Sequence, residues 1–116
     1  YRRQRQMCIR DRCRWRITMI RHIAMFHLTD AADSEGRDKV ISDIKASVAN
    51  MNGKVPGLIR AEIGVNETGG PHDIVMYCEF EDMEACRNFG NDPLHVAHRE
   101  KMNNYVCDRV WADYTI

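Results

Sequence analysis

Apolar and polar residues alternate along four stretches of the chain, and apolar residues recur at helical spacing between those stretches. Strict alternation is typical of β-strands, and it occurs at 20–28, 58–67, 74–80 and 106–116. Helical spacing begins at Arg37, after Asp82 and at Pro93. The pattern predicts the order β-α-β-β-α-β, with the second helical segment broken at Asp92-Pro93. This is the ferredoxin-like order of an α+β domain with an antiparallel sheet.

The connections between these elements carry turn signals of different strength. The first predicted helix ends at Asn52-Gly53, because glycine suits the left-handed turn that follows a helix. Residues 68–71, Thr-Gly-Gly-Pro, are a strong turn signal and predict that the next strand returns antiparallel. Residues 29–36 are polar and rich in turn-forming side chains, so we expect a turn there as well.

A four-stranded sheet with its helices on one face leaves the other face uncovered. Both sides of the first predicted strand are partly apolar, with Ala24 and Phe26 on one side and Met25 on the other. An uncovered apolar sheet face is an association site. We therefore expect two copies to pair their sheets as a homodimer, which also buries surface that so small a domain cannot bury alone.

The formal net charge of zero hides a division between the first 18 residues and the rest. Residues 1–18 hold seven of the 17 basic side chains and one of the 17 acidic ones, a net charge of +6. The remainder carries −6, and an acidic body argues against nucleic acid as a partner. No run approaches the roughly 20 apolar residues that span a bilayer, so no membrane partner is predicted.

The composition of residues 1–18 conflicts with that of the residues that follow. The segment has neither the apolar core nor the cleavage site of a secretory signal. An arginine-rich block can serve as an interaction tail for nucleic acid or a membrane. Residues 7–12, however, resemble translated sequencing-adapter sequence, so we favour a non-native or disordered extension and assign the domain to 19–116.

The chain has five cysteines, which are Cys8, Cys13, Cys78, Cys86 and Cys107. They form no C-x-x-C pair, and His95 and His98 have no further ligand at partner spacing, so no metal site is predicted. No Gly-rich phosphate loop occurs, and no cofactor is predicted. Unpaired thiols are typical of a reducing compartment, which indicates a cytoplasmic location.

A series of short motifs, in order along the chain, resembles those of one known family. They are residues 19–23, 55–58, 64–66, 73–75, 79–82, 92–96 and 113–114. With them the chain resembles the stress-responsive dimeric α/β-barrel (Dabb) family over essentially all of 19–116. The resemblance implies a homodimer whose eight strands form a barrel, related in shape to small monooxygenases and polyketide cyclases.

The resemblance to a plant polyketide cyclase of this family implies two site histidines. The cyclase's general base corresponds to His95, and a histidine on its first strand corresponds to His22. Two positions depart from the pattern, because the cyclase's catalytic tyrosine corresponds to Phe89 and a pocket histidine corresponds to Asp73. Phe89 has no hydroxyl group, so the resemblance does not carry that cyclase activity over to this chain.

His95 is the first candidate for chemistry. With Asp92 as the cap it would be the third residue of its helix, where the positive helix end disfavours the imidazolium. A neutral imidazole there could accept a proton, or it could simply hydrogen-bond a neighbouring strand. His22 shares a strand face with Ala24 and Phe26, which we expect to look into the barrel lumen; the alternative is a satisfied core histidine.

The expected function is the binding of a small, largely apolar or aromatic molecule in the barrel. The predicted pocket residues are Ala24, Phe26, Met76 and Phe89. Any chemistry would be proton transfer at His95 with His22 assisting. Two alternatives stay open, a non-catalytic stress-associated binding protein and a cofactor-independent monooxygenase or polyketide-cyclase-like enzyme. The sequence leaves open whether the protein is an enzyme.

Overall fold

The computed structural model describes residues 19–116. The predictions made for residues 1–18, including Cys8 and Cys13, lie outside the described residues. The elements are β1 (Ile20–Leu28), α1 (Asp30–Glu35), α2 (Arg37–Ala49), β2 (Leu58–Val65), β3 (Ile74–Phe80), α3 (Met83–Phe89), α4 (Pro93–Met102) and β4 (Val106–Thr115).

The four strands form one sheet in the order β2-β3-β1-β4. Each strand pairs antiparallel with its neighbours. The predicted α+β, ferredoxin-like architecture is therefore confirmed, including the break between α3 and α4 at Asp92-Pro93. Within 19–116, no helix is long and apolar enough to cross a membrane.

The turn expected at residues 29–36 is wrong, because α1 occupies most of it. The hydroxyl group of Thr29 accepts a hydrogen bond from the backbone N–H of Ala32, which caps the helix start. Asp30 and Asp33 lie in the first turn, where negative charge is favoured. The same residue types also form turns, and Ala32 is the helix's one buried side chain, so hydrophobic spacing could not reveal it.

The two faces of the sheet have different surroundings. One face packs against α2, α3 and α4 and is called the helix face here; it carries Ile20, His22 and Ala24 of β1 and the buried side chains of β3. The open face carries Met25, Val110 and Tyr114, each more than a third exposed. The uncovered, partly apolar face expected from the sequence is present on the monomer.

Candidate functional site

A cavity of about 590 Å³ lies between the helix face of β1 and β4 and the helices α3 and α4. Its size is in the usual range of small-molecule pockets. Its lining includes His22, Phe26, Met76, Phe89, His95, Arg99, Arg109, Trp111 and Asp113. The wall thus combines aromatic and thioether groups with several polar and charged ones, and such a mixture can hold and orient a small molecule.

His22 lies at the floor of the cavity, 8% exposed. The pairing of β1 with β4 places it directly opposite Asp113. The Nδ1 atom of His22 is 2.5 Å from Oδ1 of Asp113. A carboxylate in this position holds the proton on Nδ1 and leaves Nε2 as the acceptor. The rings of Phe80 and Phe89 pack against the imidazole of His22 in T-shaped arrangements and fix its plane.

His95 is the third residue of α4, as the sequence predicted, and Asp92 caps the helix by accepting from the Leu94 N–H at 2.9 Å. Its ring stacks on Phe89 with 4.0 Å between centroids. Burial, with a smaller contribution from the positive charge of Arg99, lowers the pKa of His95 to about 4. The imidazole is therefore neutral at physiological pH, mainly because it is desolvated. Among the described residues its Nδ1 has no hydrogen-bond partner.

The predicted pocket residues are only partly gathered around the cavity. Phe26, Met76 and Phe89 line it. Ala24 is 1% exposed in the core beneath and does not line it. The face of His22, which we expected to look into the barrel lumen, packs against the protein's own helices, and His22 lines the cavity between them. Alternation showed which side chains share a face, but both faces of β1 are partly apolar, so it could not show which face receives the helices.

Asp73, the second position that departs from the cyclase pattern, has a different environment. Its carboxylate accepts the Leu28 N–H at 2.8 Å and lies 3.2 Å from Arg37 and 3.5 Å from His27. These contacts lower its pKa, the hydrogen bond from Leu28 most of all. Asp73 does not line the cavity; it joins the end of β1 to the start of α2.

Cys86 adds a third metal-ligating group beside His22 and Asp113. The ligand atoms of the three residues lie within 4.8 Å of one another. Two ligands on a tetrahedral Zn²⁺ would lie about 3.3 Å apart, whereas His22 and Asp113 are 2.5 Å apart. That separation is a hydrogen bond, so we interpret the pair as sharing a proton. Burial and the charge of Asp113 raise the pKa of the Cys86 thiol to about 11, so it is protonated at neutral pH.

The chain is similar to known proteins at the level of a family and of the fold. The model of the Stress responsive A/B Barrel Domain (Dabb) matches residues 20–116. No curated protein matches the chain.

Three solved structures illustrate the likeness of fold. A dimeric protein of unknown function from Bacteroides fragilis is 25% identical, with a TM-score of 0.75 over 84% of this chain and 96% of that one. A Dabb family protein from Mesorhizobium loti is 23% identical, with a TM-score of 0.65 over 84% and 95%. A hydroxynitrile lyase from Passiflora edulis is 19% identical, with a TM-score of 0.67 over 84% and 93%. The dimeric relative supports the predicted homodimer.

Proposed function

The chain belongs to the stress responsive A/B barrel domain family, and we propose that it is a cytoplasmic homodimer that binds a small, largely apolar molecule in each cavity and transfers a proton to or from it. The observation that carries the proposal is the cavity of about 590 Å³ that brings His22 and His95 together among Phe26, Met76 and Phe89. The apolar wall would hold the body of the ligand, and the two imidazoles would contact its polar atoms.

The two histidines have different roles in this proposal. A general base works best when its pKa lies near the operating pH. His95, with a pKa of about 4, is a weak base at neutral pH and instead serves as a neutral hydrogen-bonding group. His22 is the better candidate for the base, because Asp113 orients its ring and, by accepting from Nδ1, leaves Nε2 to take a proton. We therefore assign the role of general base to His22 and not to His95, which the sequence had suggested first.

A non-catalytic binding protein is the second candidate function. The observation that favours it is Phe89, which lies in the cavity wall where the cyclase resemblance has a catalytic tyrosine. The same cavity would then bind its ligand without chemistry. The hydroxynitrile lyase from Passiflora edulis has the same fold and is an enzyme, so the fold itself is compatible with either function.

Native mass spectrometry of the full chain, purified without added ligand, tests the binding step. We expect a dimer with a reproducible additional mass. The extracted molecule, returned to the protein in deuterated water, tests the chemistry by NMR of its carbon-bound protons. We expect catalysed exchange, and we expect Asp113→Asn to slow it roughly 10²–10⁴-fold, because His22 loses its oriented tautomer.

His72→Gln is the matched control, since His72 lies outside the cavity lining, where its Nε2 donates to the backbone carbonyl of Asp108 at 3.0 Å and its ring stacks on His27. Its exchange rate is expected to equal that of the wild type. If a molecule is bound but none of the three proteins catalyses exchange of its carbon-bound protons, the non-catalytic binding function is supported instead. A bare monomer would contradict both candidate functions.

A further inference from the structure

Three arginines line the cavity, Arg87, Arg99 and Arg109, and none has a carboxylate partner among the described residues. Arg99 donates from Nη1 to the backbone carbonyl of Gly90 at 3.2 Å. The guanidinium of Arg109 lies over the ring of Trp111, 4.4 Å from its centroid. Both side chains line the cavity, and neither has a carboxylate of residues 19–116 within salt-bridge distance.

The missing partners are not explained by a shortage of acidic groups. Residues 19–116 carry a net charge of −6, and two arginines elsewhere in the domain lie beside carboxylates. Arg37 lies 3.2 Å from Asp73, and Arg60 lies 2.7 Å from Glu62. At the cavity, Asp113 is engaged by His22 at 2.5 Å. The positive charge of the cavity arginines is therefore left available in an otherwise acidic domain.

The charges of Arg99 and Arg109 act on the same region of the cavity. Burial lowers the pKa of Arg109, and the nearby charge of Arg99 also lowers it, whereas the charge of Asp113 raises it. Arg99 also contributes to the low pKa of His95. Because Arg109 is partly desolvated and is acted on by the like charge of Arg99, an anion that enters the cavity beside it is favoured.

We propose that the molecule bound in the cavity carries a carboxylate group on an aromatic or aliphatic body, and that Arg109, with Arg99 beside it, receives the carboxylate. The inference rests on the proposed function, of which it specifies the ligand class. Guanidinium groups match the planar geometry of a carboxylate and bind it through paired N–H donors. Asp108 and Asp113 also line the cavity, so a doubly charged phosphate would be repelled more strongly than a carboxylate with a single charge.

Isothermal titration calorimetry of the full chain with naphthoate, naphthamide and naphthyl phosphate tests the inference. The first two probes have nearly the same shape and differ in charge. We expect the wild type to bind naphthoate about tenfold or more tightly than naphthamide, and more tightly than naphthyl phosphate. Arg109→Gln should weaken naphthoate binding about tenfold and leave naphthamide binding unchanged.

Lys45→Gln is the matched control, because it also removes one positive charge but from an exposed position on α2 that does not line the cavity. It should bind all three probes like the wild type. Thermal unfolding of each variant checks that the fold is intact, which is expected because Arg109 is at the surface. Equal binding of naphthoate and naphthamide, or tighter binding of the phosphate, would overturn the carboxylate assignment and leave the proposed function standing. Failure of all three probes to bind would overturn both.

Discussion

The layer between the sheet and its helices differs between its two halves. Over β2 and β3 it is filled, because Val48 and Met51 pack against Phe80 and all three side chains are almost fully buried. Over β4 the layer is open, and Trp111 on the helix face is 59% exposed at the edge of the cavity. We call these the filled half and the cavity half. The comparison shows one architecture used in two ways, with close packing for stability on one side and a ligand-sized space on the other.

Replacing Phe80 by Ala should give the largest effect on stability. Phe80 is fully buried in the filled half and contacts the rings of His22 and Phe89. We expect the free energy of unfolding to fall by about 3–5 kcal/mol, since the transfer energy of the ring and the energy of the remaining cavity are both lost. Urea denaturation followed by circular dichroism measures it.

Trp111→Ala is the control for this comparison. It removes an even larger side chain, but from the cavity half, where the indole is mostly exposed. Its effect should stay below about 1 kcal/mol. If the two variants were equally destabilised, the cavity half would be as well packed as the filled half, and the distinction between them would be wrong.

Gly57→Ala should have the next largest effect. Gly57 has a φ of 79°, and a Cβ atom placed there would lie 2.3 Å from Cβ of Ala85 on α3. The close approach lets the start of β2 pack against α3. Gly53→Ala is matched, because its φ is 81° but its surroundings are open within 4 Å. We expect the free energy of unfolding to fall by about 1 kcal/mol in Gly53→Ala, because of the left-handed backbone alone, and by about 2–4 kcal/mol in Gly57→Ala. Equal losses of stability in chemical denaturation would show that α3 moves aside freely.

The fold was predictable because its signals are local. Alternation along β1 and β3 and the Asp92-Pro93 start of α4 need only neighbouring residues to be recognised. The same holds for His95, whose position in the first turn of α4 follows from its cap. The helix α1 was missed because Thr29 and the aspartates after it are equally typical of a turn.

The rest of the site depends on contacts between distant parts of the chain. Asp113 meets His22 across 91 positions of sequence, through the register of β1 with β4. That register shifts between Met25 and His27, and Asp108 has a positive φ there. The irregularity places Val106, the partner of Leu28, on the same face as Trp111, which simple alternation would not, and no sequence pattern located it. The cavity half was therefore less predictable than the filled half, whose packing follows from hydrophobic periodicity.

A fall in pH should lower the free energy of unfolding of the wild type more than that of the His95→Gln variant. This difference is the smallest of the expected effects. The pKa of His95 is about 4 in the folded chain against an ordinary value of 6.5. Between these pH values the unfolded chain binds a proton at His95 that the folded chain does not, so the free energy of unfolding falls as the pH drops from about 6.5 to about 4. Above pH 6.5 both states are neutral at this residue, and it contributes no pH dependence.

The size of this effect is limited by the partial exposure of His95. After that discount we expect the two chains to diverge by about 1–2 kcal/mol between the upper and lower pH values in urea denaturation. The pKa of His98 is also lowered by burial, but His98 is present in both chains and its contribution is removed by the subtraction. Parallel pH profiles would mean that water reaches the ring of His95 freely and that the cavity half is more open than its stacked Phe89–His95 wall indicates. Diverging profiles would mean that the cavity keeps the neutral imidazole of His95 desolvated and that the protein is less stable in acid for this reason. A closely packed core residue such as Phe80 has no titratable group and adds no such pH dependence.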